Sequence, residues 1–143
     1  MSDPYNLQRF LDAQDAAFDA ALAELKAGSK QSHWMWFIFP QLVGLGRSST
    51  AQFYAIASID EARAYLNHPM LGSRLRQCID ALSHWSGRRS AEQIMGPVDA
   101  AKLRSSLTLF EQVDSSGEFA GALVAFFGGS RDDRTLAMLN AEE

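Results

Sequence analysis

The chain has 143 residues, 47% of them hydrophobic, and a formal net charge of −4, with a pI near 5.3. That length fits one domain with a sizeable core, and the ordinary apolar fraction excludes disordered, collagen-like and disulfide-scaffold classes. The acidic balance argues against nucleic acid as a partner, because neutralising a phosphate backbone needs clustered Lys and Arg.

The first ten residues are polar and lack the charged-then-apolar pattern of a secretory signal. Leu7, Leu11, Phe18, Leu22 and Leu25 recur at helical steps and predict one long helix, with Asn6 as N-cap and Gly28 as stop. From His33 to Phe39 the chain is uniformly apolar and has no period, and Pro40 forbids helix beyond about Phe39. A short buried helix is expected there, with a strand as the alternative. Ser48 or Ser49 caps a helix running to about Ala57, and Ser58 with Glu61 has capping-box spacing for the next, through Leu66.

Pro69 opens a helix whose Leu71, Leu75, Cys78, Ile79 and Leu82 form an apolar stripe ending near Trp85. Cys78 reads as a small core residue. As the single cysteine of the chain it allows neither an intrachain disulfide nor a thiolate cluster, which points to a reducing, cytoplasmic setting. Ser90 and Gln93 repeat the capping-box spacing over a short helix closed by Gly96 and Pro97, and Val98 to Val113 reads as a long one. A further helix spans about Gly117 to Phe127, ended by Gly128 and Gly129, and the last starts at Ser130 with Asp133 in box position.

No segment alternates with period two, and no apolar run approaches the eighteen or so residues of a membrane span. The expected fold is all-α: a single compact domain over residues 1–143, core about 6–140, of about eight helices in an irregular orthogonal bundle. No repeat or linker divides it, and the expected partners include no membrane.

Residues able to carry chemistry gather in two stretches. In the first, His33 could exchange a proton near neutral pH, as could Tyr54. Trp34 or Trp36 could stack on a ring; two residues apart on a helix they diverge by about 200°, so only one can face a pocket. Gln41 is a polar group nearby. Gly44, Gly46, Arg47, Ser48 and Ser49 precede a helix start, where exposed N–H groups and a guanidinium suit an anion. The plain readings are a structural imidazole, packed indoles and ordinary turn punctuation.

In the second stretch, Lys102, Arg104, Ser105, Ser106 and Thr108 interrupt an otherwise apolar helix. Hydroxyls inside a helix compete with its backbone bonding. Either the small side chains permit close packing, or Lys102 and Ser105 complete a polar pocket with the aromatic block. His68 and His84 sit at helix junctions as capping residues. No metal-ligand spacing, nucleophile elbow or dinucleotide fingerprint occurs, so no metal and no cofactor are expected and no reaction is specified.

Several blocks resemble one known bacterial family. They are Ser32-His33-Trp34-Met35-Trp36-Phe37-Ile38-Phe39-Pro40-Gln41-Leu42; Gly44 to Ser49; Glu61 to Leu66 with His68-Pro69 and Leu71-Gly72; Lys102 to Ser106 with Thr108 to Phe110; and Phe126 to Gly129 followed by Thr135-Leu136. Together they are similar to the domain of unknown function 1810 family, uncharacterised proteins sometimes labelled calpastatin. The resemblance implies a mainly helical single domain and brings no activity, ligand or catalytic residue. The calpastatin label does not follow, since that inhibitor is an extended disordered chain and this composition predicts a packed globule. The chain departs from the family pattern at Ala55, where a glycine usually follows the tyrosine, and at Gly96 to Asp99.

Two functions are therefore expected from different classes. One is a helical domain that binds a small anionic ligand, with action on a phosphate-bearing or nucleotide-like metabolite as its enzymatic form. The other is a non-catalytic protein–protein interaction module, monomeric or weakly homodimeric, docking through exposed aromatics and arginine. A concave cavity favours the first and a flat apolar patch the second.

Overall fold

Polar caps and glycine stops in the sequence translate into an all-helical fold. A computed structural model describes residues 3–141, and these form nine helices: α1 Gln8–Lys26, α2 Met35–Ile38, α3 Ser49–Phe53, α4 Ile59–Asn67, α5 Pro69–Ser83, α6 Ala91–Met95, α7 Pro97–Glu111, α8 Glu118–Phe127 and α9 Asp133–Ala141. Helix α1 packs on α2 and α5, α4 on α5, and α7 lies across α4, α6, α8 and α9. The buried side chains form one continuous core, centred on Phe10, Trp34, Tyr65, Leu103, Phe110 and Phe119.

Most of the caps read from sequence act as expected. Ser90 and Gln93 close both arms of a capping box on α6, Pro69 and Pro97 occupy the first turns of α5 and α7, and Gly128 ends α8 in the left-handed conformation. His68 caps α5, its Nδ1 accepting from the Met70 and Leu71 amides at 3.2 Å each.

Four local details differ. Asn6 is not the cap of α1: the Leu7 and Gln8 amides donate instead to the Asp3 carboxylate, at 2.8 and 3.0 Å. The helix begun by Ser48 ends at Phe53, not near Ala57, because the Ile56 amide donates to the Gln41 carbonyl and the Val43 amide to the Ile56 carbonyl, each at 2.8 Å. This isolated parallel bridge pulls Ala55 and Ile56 into an extended path. The last helix starts after Asp132, whose Oδ2 accepts from the Thr135 amide at 3.0 Å and from its hydroxyl at 2.5 Å, so Ser130 is not its start. Ser58 caps α4, but Glu61 does not complete the box; its Oε1 accepts from the Ala57 amide at 3.0 Å and its Oε2 reaches Arg9.

Glu24 organises the approach to the aromatic block. Its carboxylate accepts from the Gln31 and Ser32 amides, the Ser32 hydroxyl and the indole N–H of buried Trp34, at 2.7, 2.9, 2.7 and 3.0 Å. Burial alone would raise its pKa. The hydrogen bonds from Ser32, Gln31 and Trp34 outweigh that and hold it at about 2, against an ordinary 4.5. Because the folded-state value is depressed, the stabilisation is complete above about pH 4.5 and fades as pH falls toward 2. Glu24→Gln should lower stability by about 1–2 kcal/mol at pH 7, the scale of a charge-assisted hydrogen-bond cluster. The gap from wild type should shrink at pH 3 in urea unfolding; an equal gap at both pH values contradicts this role.

Candidate functional site

Loop 40–47, α7 and the start of α9 enclose the recess that gathers the most candidate residues. The bridge at Leu42 and Ile56 anchors one side of the loop. At Gly44 the backbone has φ +96°, and a Cβ there would lie 2.5 Å from the Met138 methyl of α9; at Gly46 it would lie 2.5 Å from Ala51 Cβ. Only glycine lets the loop turn and lie this close to both helices.

The recess holds about 360 Å³ and is lined by Gln41, Leu45 and Gly46 from the loop, by Val98, Ala101, Lys102 and Ser105 from α7, and by Asp132 and Arg134. Ser105 forms the floor: buried, with its hydroxyl donating to the Ala101 carbonyl at 3.2 Å, it keeps oxygen lone pairs to accept with. Lys102 and Arg104, two positions apart, leave α7 on opposite flanks of Ser105. Lys102 places its ammonium 5.2 Å from the centre of the Trp36 ring and 3.7 Å from Asp99. Asp99 is also bound by Lys30 at 2.9 Å, and Lys30 covers Trp34 at 5.0 Å.

Arg104 is one of three described residues with a buried, unpartnered side-chain atom, the others being Arg89 and Ser106. Its buried Nε has no hydrogen-bond partner, and Asp132 Oδ1 stands 3.9 Å from Nη2, beyond hydrogen-bond reach. Asp132 cannot close the gap, because its Oδ2 is held by Thr135 and its amide donates to Thr108 Oγ1 at 3.0 Å. Thr108 in turn donates to the Arg104 carbonyl at 2.8 Å, and Arg131 next door is clamped by Glu111. Arg134 is exposed and joins no ion pair among the described residues. Elsewhere Arg9 pairs with Glu61, Arg63 with Asp60, Arg74 with Asp15 and Arg76 with Asp114 and Glu118, while Lys26, Arg47, Arg88 and Arg89 join no ion pair among the described residues.

The structure thus brings together Gln41, Gly46, Lys102 and Ser105, with Trp36 beside Lys102. It separates the rest. Trp34 is 1% exposed and turned toward Glu24, so the two indoles diverge as their spacing requires. His33 is exposed and is not among the residues lining the recess. Arg47 is exposed and does not line the recess, and the Ser48 hydroxyl is taken up accepting from the Ala51 amide at 3.1 Å. Ser49 is exposed in the first turn of α3, which has five residues and adds little dipole. Tyr54 packs its ring against Phe10, Phe37 and Phe53. Of His33, Gln41, Arg47 and Tyr54, which a single cavity was expected to join, only Gln41 lines the recess, and it does so against α7 and the start of α9. Asp132 and Arg134 were not singled out in the sequence; their one signal was the Asp-x-x-Thr spacing of a helix cap, in a run that otherwise looks like a solvated helix start.

Fold and recess together define an all-helical domain with an open, mainly cationic depression at the meeting of two helices and a glycine loop. The chain belongs to the family described as "Protein of unknown function (DUF1810)", whose model matches residues 4–139. A solved structure similar to it is that of the conserved hypothetical protein Rv1873 from Mycobacterium tuberculosis, 47% identical, with a TM-score of 0.93 over 96% of this chain and 99% of that one. No curated protein matches. Among the described residues no helix is long and apolar enough to cross a membrane, and no three His, Cys, Asp or Glu side chains are grouped to hold a metal ion.

Proposed function

We propose that the protein binds a small phosphate-bearing metabolite in the recess between loop 40–47, α7 and α9. The observation that carries this reading is the pair Lys102 and Arg134 lining one depression, with Arg104 Nη2 3.9 Å from the Asp132 carboxylate on its wall, none of the three in a close carboxylate hydrogen bond, in a chain whose net charge is −4. Holding like charges together costs free energy unless an anion joins them. Lys102, Arg104 and Arg134 stand against the carboxylates of Asp132 and Asp99, and Asp99 is already paired at 2.9 Å with Lys30, which leaves an excess of positive charge that suits a phosphate monoester, carrying about −1.5 to −2 charges at pH 7. Lys102 and Arg134 supply point and forked donors, and the Gln41 amide and Ser105 hydroxyl fix orientation. Val98, 69% exposed on the rim, offers an apolar edge to the rest of the ligand. Trp36 contributes through Lys102, which its ring supports by a cation–π contact.

The same reading assigns the protein to the reducing cytoplasm of a bacterium. The thiol of Cys78 is buried in the core and pushed up to about 12 by burial, so it serves as inert packing.

Thermal unfolding in the presence of inorganic phosphate and of ribose 5-phosphate tests the site. A ligand at one hundred times its dissociation constant adds about 2.7 kcal/mol, which should raise Tm by roughly 5 °C or more in a chain of this size. Lys102→Ala and Arg104→Ala should each weaken binding about tenfold or more, whereas Arg47→Ala should retain the shift. Loss of the shift in Arg47→Ala with retention in Lys102→Ala would relocate the site to α3 and overturn the reading.

A further inference from the structure

A carboxylate in a cationic recess needs a reason. Asp132 repels a bare anion, yet its backbone and Oδ2 are fixed by Thr108 and Thr135, so its Oδ1 is held on the recess wall and cannot withdraw. Its side chain is 13% exposed, and that of Arg104 is 37% exposed. A surface ion pair free to relax would close to about 2.8 Å. This one stands at 3.9 Å between Arg104 Nη2 and Asp132 Oδ1. A guanidinium that can only donate faces a carboxylate oxygen that can only accept, across a gap too wide for either to satisfy the other.

An atom that both accepts and donates fits that gap, and a hydroxyl is such an atom: its lone pair accepts from the guanidinium while its O–H donates to Oδ1. Resting on the phosphate reading above, we infer that the ligand is a polyol phosphate, such as a sugar or ribose phosphate. Its phosphate lies toward Lys102 and Arg134, and one of its hydroxyls bridges Arg104 and Asp132. A fully ionised phosphate monoester with no hydroxyl, such as methyl phosphate, only accepts, so it leaves the Arg104–Asp132 pair open and is repelled by the carboxylate. A polyol phosphate satisfies both sides, because a site built to hydrogen-bond a hydroxyl rejects the analogue that lacks it.

Isothermal titration with inorganic phosphate, methyl phosphate and ribose 5-phosphate separates the two levels of the proposal. In wild type, ribose 5-phosphate should bind at least tenfold more tightly than methyl phosphate. Asp132→Asn keeps a cap for α9, since Asn caps nearly as well as Asp, and should bring that ratio down to about threefold or less. Arg104→Gln should do the same and serves as the second variant if Asp132→Asn is poorly folded. If methyl phosphate and inorganic phosphate bind but the wild-type ratio is near one, the bridging hydroxyl is refuted and the anion site stands. An unchanged ratio in both variants refutes it equally. If none of the three ligands binds, the phosphate reading itself is refuted.

Discussion

Arg9→Met is expected to destabilise the protein by about 3–5 kcal/mol, the cost of removing one partner of a buried ion pair. All five guanidinium N–H groups of Arg9 are used. Nε donates to the Phe53 carbonyl at 2.8 Å, Nη1 to the Tyr5 and Asn6 carbonyls at 2.6 and 2.7 Å, and Nη2 to the Ala55 carbonyl and Glu61 Oε2 at 2.9 and 2.8 Å. The two side chains are 9% and 4% exposed, and the guanidinium also covers the Phe10 ring at 4.3 Å. One residue therefore ties the chain before α1, the end of α3 and the start of α4 into a single knot. Methionine keeps much of the stem's packing but strands the Glu61 carboxylate beside several unpaired carbonyls, and that desolvated charge dominates the loss. The double variant Arg9→Met with Glu61→Leu should recover at least about 1 kcal/mol over the single variant, because the isolated charge is gone. Urea unfolding measures both; a loss under about 1 kcal/mol for Arg9→Met would show that the knot contributes little.

The second large effect concerns glycine. Gly72→Ala should cost about 2–3 kcal/mol or more, as overpacking against a rigid neighbour does. A Cβ at Gly72 would lie 2.1 Å from the Leu66 carbonyl oxygen and 3.1 Å from its carbon, and backbone atoms cannot rotate aside as a side chain does. Gly72 is buried where α5 turns back beneath α4, and its amide donates to the His68 carbonyl at 2.9 Å. Relief would require the α4–α5 junction to open. Gly121→Ala on α8 should have the opposite sign and stabilise by about 0.5–1 kcal/mol, through helix propensity alone. That glycine is exposed within a helix, and nothing lies within 4 Å of an added Cβ. Thermal or urea unfolding of the pair checks the contrast, and the same sign in both would contradict it.

How far such features could be read in advance depends on their range along the chain. The caps at Ser58, Ser90 and Pro69 were legible because a helix end is a local problem: its unpaired amides are met by side chains within three residues. The mixed polarity of α7 was legible for a related reason, since Lys102 and Ser105 sit where a purely apolar stripe would otherwise run. The end of α3 at Phe53 was not, because what stops it is a bridge between Leu42 and Ile56 across the loop. The Arg9–Glu61 knot spans 52 positions, and nothing in either local segment marks the partner. Glu61 even has capping-box spacing and is diverted from it by the distant cation. In the recess, the α7 residues and Gln41 stood out, while Asp132 and Arg134 looked like an ordinary charged helix start and gain their meaning only from the packing of α9 on α7.

The central claim is that one recess collects the ligand. Amide chemical-shift mapping by NMR during a titration with ribose 5-phosphate tests it most directly. The account predicts saturable shifts concentrated at Gln41, Leu45, Gly46, Lys102, Ser105, Asp132 and Arg134. Shifts centred instead on His33 or on Arg47 to Thr50, or none at saturating ligand, would contradict it.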